Sequence, residues 1–260
     1  MPDIALFRVK IFADGADRDS ILDLAANPLI KGFTTNPTLL RKAGITDYEA
    51  FGRSLARDIP DRPFSFEVLS DDFDQMEQQA LEIATWGENV YVKIPITDTR
   101  GRSSAALVKR LAQHGVKLNV TALMTLDQVD AVVPSLRHGP PSCISIFAGR
   151  VADAGRDPLP ILNGALARIR AYKQIELIWA SPRELFNIVQ AEAIGCHIIT
   201  VTHDLLKKLP LIGRDLTEYS LDTVKMFVND ARAANFTLGT PVPDKPITPT
   251  LPFDTVSSRE

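Results

Sequence analysis

Cysteine is scarce in this chain: Cys143 and Cys196 are the only two in 260 residues. Each stands at the head of an apolar run, the setting of an inert packed thiol, so a disulfide scaffold and a cysteine-rich metal site are both unsupported. No long basic run exists either. With a net charge of −3 and a pI near 5.9, neither nucleic acid nor an acidic membrane surface is an expected partner. No apolar stretch approaches the roughly eighteen residues that a membrane-spanning helix needs. Met1-Pro2-Asp3-Ile4-Ala5-Leu6-Phe7 offers no charged start and no small-residue cleavage site, so a soluble cytoplasmic protein is expected. A glycine-rich phosphate loop is also missing. Asp14-Gly15-Ala16-Asp17 follows the first strand-like run without G-x-G-x-x-G spacing, which argues against a doubly wound nucleotide-binding sheet.

What the chain does have is a regular alternation. A 45% hydrophobic composition over 260 residues can bury one large core. Apolar, β-branched runs begin near Val9, Lys31, Phe64, Asn89, Lys117, Cys143, Ile175 and His197, and each is followed by a stretch with helical periodicity. Pro37 suits the first turn of the helix after the second run. Eight strand–helix units spaced about 25 to 30 residues apart predict an α/β fold, a (β/α)8 TIM barrel. An extra amphipathic helix is expected over Leu221 to Ala234, with Leu221, Val224, Phe227 and Val228 on one face. The expected organisation is a single barrel domain over 1–236, C-terminal helix included. Residues 237–260, with five prolines, read as an extended or disordered tail.

The segment that most needs explaining is Asn89-Val90-Tyr91-Val92-Lys93-Ile94-Pro95, where one lysine interrupts a run that reads as a buried parallel strand. A free lysine is neutral roughly once in a few thousand molecules at neutral pH, and burial can lower its pKa by several units. Two readings follow. Lys93 is a Schiff-base nucleophile, or it is a structural lysine whose stem packs on the sheet while its head reaches water or a carboxylate.

In this type of barrel, chemistry sits at the C-terminal ends of the strands. Those positions carry Asp14, Thr34, Asn36, Glu67, Lys93, Asn119, Thr121 and Ser145, with Arg150 and Arg183 in the loops beyond. Each has an ordinary alternative: Asp14 as a helix cap, Asn36 as a turn residue before proline, Arg150 as a partner of Asp153. Convergence on one mouth favours an active site that performs amine catalysis on a sugar ketone. Lys93 would form the imine and Asp14 would take the β-hydroxyl proton. Glu67 with Thr121 would handle the water lost and regained. Asn36, Asn119 and Ser145 suit sugar hydroxyls. Arg150 and Arg183, the latter beside Ser181 near an expected helix start, suit a terminal phosphate.

Four motifs carry a family resemblance: Gly32-Phe33-Thr34-Thr35-Asn36-Pro37-Thr38-Leu39-Leu40, Val90-Tyr91-Val92-Lys93-Ile94-Pro95, Asn119-Val120-Thr121 and Ser145-Ile146-Phe147-Ala148-Gly149-Arg150. In this order, from about residue 9 to 236, the chain resembles the transaldolase family, particularly its short members, which include fructose-6-phosphate aldolase. The resemblance implies Schiff-base chemistry in a (β/α)8 barrel with no cofactor and no metal, acting on sugar-phosphate substrates in carbohydrate metabolism. It places the imine on Lys93, the acid/base role on Asp14, and water handling on Glu67 and Thr121. Substrate binding falls on Thr34, Asn36, Asn119, Ser145, Phe147, Arg150, Ser181 and Arg183. It also implies a homo-oligomer, with pentamers or decamers as the expected rings. True transaldolases carry glutamate and phenylalanine where the aldolase branch carries glutamine and tyrosine, and this chain has Glu67 and Phe147. The departures are Ile146 where the family usually has proline, Pro182 where phenylalanine precedes the arginine, and a basic loop, Asp98-Thr99-Arg100-Gly101-Arg102. Pro182 is expected to affect how Arg183 is aimed. Three functional readings therefore stand: a transaldolase, an aldolase releasing free dihydroxyacetone, and a catalytically silent sugar-phosphate-binding protein.

Overall fold

The computed structural model describes residues 4–236 together with 238 and 239. Its strands are β1 (Lys10–Asp14), β2 (Ile30–Thr34), β3 (Phe64–Glu67), β4 (Val90–Pro95), β5 (Leu118–Leu123), β6 (Ser142–Phe147), β7 (Ile175–Ala180) and β8 (Ile198–Thr202). All neighbours pair in parallel, and β8 pairs back onto β1 to close the barrel. The (β/α)8 barrel expected from the periodicity is therefore the fold that forms.

Strand chemistry explains the closure. Residues pointing outward, such as Ile11, Phe33, Phe66, Val92, Ile94 and Val120, are buried under the helices, so the strands read as continuous apolar sequence. Residues pointing inward alternate with them. On β1 these are Lys10, Phe12 and Asp14, and each level of the interior has its own character. Near the N-terminal end, Lys10 Nζ meets Glu176 Oε1 and Oε2 at 2.7 and 2.6 Å, reaching from β1 to β7. Above that pair lies an apolar plug of Phe12, Cys143, Ile178 and Ile198, with Tyr91 and Phe147 against it. Gly32 is required at this level because a Cβ there would stand 2.6 Å from the Phe12 ring. The plug makes the barrel a packed core rather than a pore. The polar residues above it form a floor for the mouth. Both cysteines are buried and unpaired, and burial pushes the Cys196 thiol up to about 12.

The helices begin where capping residues allow. Asp17 accepts from Ser20 N, which starts the helix Arg18–Ala25 and relieves Asp14 of the capping role. Asn36 caps Pro37–Lys42, and Thr125 with Gln128 forms a capping box before Leu126–Leu136. An aromatic cluster covers the outside of β3: Phe66 and Tyr48 each meet Trp86 edge-on at 5.3 Å. Tyr48 also donates from its hydroxyl to the Glu67 carbonyl at 2.9 Å, tying this wall to the mouth.

Three expectations need correction at their edges. Ala148–Asp153 is a short helix directly after β6, so Arg150 is helical rather than in a loop. The helix expected from Arg183 forms only over Phe186–Ala193. Ser181 has a positive φ of 59°, and Asn187 Oδ1 accepts from both Arg183 N and Glu184 N, which holds that stretch as a turn. The last helix starts earlier than its apolar face suggested, at Leu216, because Asp215 accepts from Thr217 N and Glu218 N.

By its internal contacts the chain divides at residue 209. The barrel is one unit. The unit that follows is built on Leu216–Ala233, where Arg214 and Lys225 both pair with Asp222 and the Arg214 guanidinium lies 4.6 Å from the Tyr219 ring centroid. Leu216, Leu221, Val224 and Phe227 of this helix are exposed. Of the Pro-rich stretch 237–260 only residues 238 and 239 are described, so the expected tail lies outside the described residues. Among the described residues no helix is long and apolar enough to cross a membrane.

Candidate active site at the C-terminal mouth

Lys93 points inward from β4 and is 5% exposed. Its Nζ donates to the Thr35 carbonyl at 2.7 Å and lies 2.9 Å from Glu67 Oε2. The register explains the pairing, since Glu67 on β3 is the direct neighbour of Lys93. A surface lysine would reach for water; this one is enclosed between a carboxylate and a backbone oxygen. That arrangement gives the ammonium an adjacent proton acceptor, which an amine needs before it can attack a carbonyl.

Asp14 stands at the end of β1 on the same mouth. Its Oδ1 accepts from the Thr34 hydroxyl at 2.7 Å, and Thr34 Oγ1 lies 2.5 Å from Thr200 Oγ1. Burial pushes the Asp14 carboxyl above its ordinary range; the Lys93 charge and the Thr34 hydrogen bond pull it back, and the Glu67 charge adds to the rise. A carboxylate made more basic by its surroundings suits a proton acceptor.

On the other side of Lys93, Ser145 donates to Asn119 Oδ1 at 2.7 Å, and Asn119 Nδ2 donates to Ser65 Oγ at 3.1 Å. This chain joins β6, β5 and β3 and fixes which way the Asn119 amide faces. Thr121 is 1% exposed, and its Oγ1 has no hydrogen-bond partner. A buried hydroxyl without a partner is costly, and such groups often await a water or ligand. The next residue, Ala122, has a φ of 65°, and the β5–β6 register slips there. The bulge interrupts the ladder at the mouth, and pairing resumes at Leu123 opposite Ile146.

The expected binding residues divide into those held ready and those otherwise engaged. Asn36 commits its Oδ1 to Leu39 N as a helix cap, leaving its amide hydrogens for a ligand. Phe147 packs against the plug, and the exposed Arg150 guanidinium lies 5.7 Å from its ring centroid. Asp153 pairs with Arg183 rather than with Arg150: Arg183 Nε to Asp153 Oδ1 is 2.9 Å, and Nη2 meets the second oxygen. The two arginine-bearing segments are in backbone contact, because a Cβ on Gly149 would collide with the Ser181 carbonyl oxygen. Two mouth hydroxyls, Ser65 and Thr200, were not singled out from the sequence. Each sits inside an apolar run, where a small polar residue reads as strand filler; only the twofold inward alternation could have found them. Among the described residues no group of three or more His, Cys, Asp or Glu side chains is arranged to hold a metal ion.

Over residues 11–238 the chain matches the family described as Transaldolase/Fructose-6-phosphate aldolase. It is 31% identical over 218 residues to a probable transaldolase of Dehalococcoides mccartyi, a match covering 82% of this chain and 97% of that one. A probable transaldolase of Methanococcus maripaludis is 32% identical over 218 residues, with the same coverage of 82% and 97%. One from a Thermoanaerobacter species is 33% identical over 218 residues, covering 84% and 95%.

The raised pKa of Asp14 has a consequence for stability. A carboxyl that is harder to ionise in the folded state contributes stability below its unfolded pKa and loses it as pH rises through the folded value. Asp14→Asn, which keeps an acceptor for Thr34, should therefore unfold at higher urea than the native chain at pH 8, with the gap closing at pH 4. Equal midpoints at both pH values would contradict this account.

Proposed function

Since this chain belongs to the transaldolase/fructose-6-phosphate aldolase family, we propose that Lys93 is its Schiff-base lysine and that the residues around it divide the proton transfers as follows. The chain is a transaldolase-type enzyme, moving a three-carbon dihydroxyacetone unit from a ketose phosphate to an aldose phosphate. The observation that carries the proposal is the enclosure of Lys93, 5% exposed, between the Glu67 carboxylate and the Thr35 carbonyl.

Glu67 takes a proton from Lys93, and the neutral amine adds to the C2 carbonyl of the ketose phosphate. Glu67 then returns a proton to the departing hydroxyl, which leaves as water held by Thr121, whose buried hydroxyl has no other partner. The resulting iminium draws electrons from the C3–C4 bond. As Asp14 removes the C4 hydroxyl proton, that bond breaks, an aldose phosphate departs and an enamine stays on Lys93. An incoming aldose phosphate is attacked by the enamine, Asp14 gives its proton to the new alkoxide, and water releases the product from Lys93.

Asn36 offers its amide hydrogens to the sugar, Asn119 its remaining amide hydrogen, and Ser145 and Thr34, whose protons go to Asn119 and Asp14, can accept from sugar hydroxyls, with Phe147 and Ser181 shaping the mouth. Arg150 and Arg183 are the phosphate ligands. The Arg183–Asp153 pair does not block that role. Both side chains are about half exposed, at 47% and 55%, and an exposed pair is screened by solvent and holds its partners only weakly. A phosphate offers Arg183 a stronger partner than a single carboxylate does.

Reduction with borohydride in the presence of fructose 6-phosphate should fix a sugar adduct to Lys93 and to no other lysine. An adduct that persists in Lys93→Ala would refute the assignment.

The aldolase alternative turns on Phe147. A phenylalanine has no proton to give the enamine, so the enamine waits for an acceptor. Phe147→Tyr should raise release of free dihydroxyacetone without acceptor by about tenfold or more, as a positioned acid does. An unchanged acceptor requirement would remove Phe147 from the account.

The exposed apolar residues Leu216, Leu221, Val224 and Phe227 support a homo-oligomer built through the last helix, with a pentamer or decamer as the expected size. Light scattering that returns a monomer mass at micromolar concentration would exclude it.

A further inference from the structure

We propose that Thr200, on β8, is a positioning residue for the reaction: through Thr34 it holds Asp14 so that only one carboxylate oxygen is left to exchange the substrate's proton. This rests on the reading of Asp14 as the base. Thr34 and Thr200 lie on strands separated by β1, so their hydroxyls meet only because both point into the barrel. They are 4% and 6% exposed. Phe12 is the register partner of Thr200 on β1, one inward position below Asp14, which sets the contact beneath the carboxylate.

The direction of the chain follows from counting protons. A hydroxyl has one proton to donate. Ionised Asp14 has none, so the 2.7 Å contact uses the Thr34 proton. The 2.5 Å contact between the hydroxyls must then run from Thr200 to Thr34. Without Thr200, Thr34 is free to turn and accept from a protonated Asp14 at the same oxygen. With Thr200 donating, Thr34 stays a donor to Oδ1, and proton exchange is confined to Oδ2. Two aligned hydroxyls also polarise one another and favour the ionised form. The charged groups facing Asp14 are Lys93 from β4 and Glu67 from β3; β2 and β8 contribute Thr34 and Thr200, which carry no charge.

Kinetics across pH 5 to 9 with fructose 6-phosphate as donor and a four-carbon aldose phosphate as acceptor test this. Thr200→Val should lower kcat by about tenfold with KM nearly unchanged and move the acidic limb of the kcat profile to higher pH, since the ionised carboxylate loses support. Thr200→Ser should restore both. In a Thr34→Val background the chain is already cut, so adding Thr200→Val should change kcat by less than about twofold. A native profile in Thr200→Val, failure of serine to rescue, or a full additional loss in the Thr34→Val background would each overturn the relay. Asp14→Asn run in parallel separates the two ideas: native kcat there refutes the base assignment itself, whereas a collapse of Asp14→Asn with an unaffected Thr200→Val refutes only the relay.

Discussion

A lysine on the inward face of a closed parallel barrel is the constraint from which the mouth is built. Removing an ammonium from water costs several kcal/mol unless it is paired and hydrogen-bonded. Lys93 meets that demand with the Glu67 carboxylate and the Thr35 carbonyl. A buried ion pair is poor evidence for stability, because a hydrophobic pair of similar volume often serves as well. Its presence here points to chemistry instead. Once Lys93 is fixed, its neighbours follow from register: Glu67 on one side, Asn119 on the other, with Asp14 close enough to feel the charges of both Lys93 and Glu67.

The mouth is organised as two hydroxyl-bearing chains on either side of this lysine. One runs from Thr200 through Thr34 to Asp14. The other runs from Ser145 through Asn119 to Ser65. Each includes a contact between strands that are not direct neighbours, β8 to β2 in one and β5 to β3 in the other, so they tie the rim together across the interior as well as along the ladder. They also leave definite groups unused: the second oxygen of Asp14, the amide hydrogens of Asn36 and the hydroxyl of Thr121. Fixing some polar atoms so that others are presented in one orientation is how a site is preorganised before a ligand arrives.

Most of the fold was legible in the sequence because it depends on local period. Eight apolar runs separated by helical stretches allow few topologies other than a barrel. The strand-end residues were legible for the same reason, since position along the chain gives position around the rim. Contacts across the interior were not. Nothing in Ile198-Ile199-Thr200-Val201 distinguishes a hydroxyl that meets Thr34 across the interior from a β-branched residue suited to a strand. The partner of Asp153 was equally hidden: Arg150 is nearer in sequence, but the turn held by Asn187 brings Arg183 to it. Such pairings depend on barrel closure and loop geometry, which no window of sequence contains.

The contact between Gly149 and the Ser181 carbonyl bears on how this mouth can be rebuilt. It fixes the helical turn after β6 against the turn after β7 through backbone atoms, so the spacing between their two arginines is a property of the pair of segments. Neither segment is a separable module. A graft that carries one without the other would bring its arginine but lose the spacing.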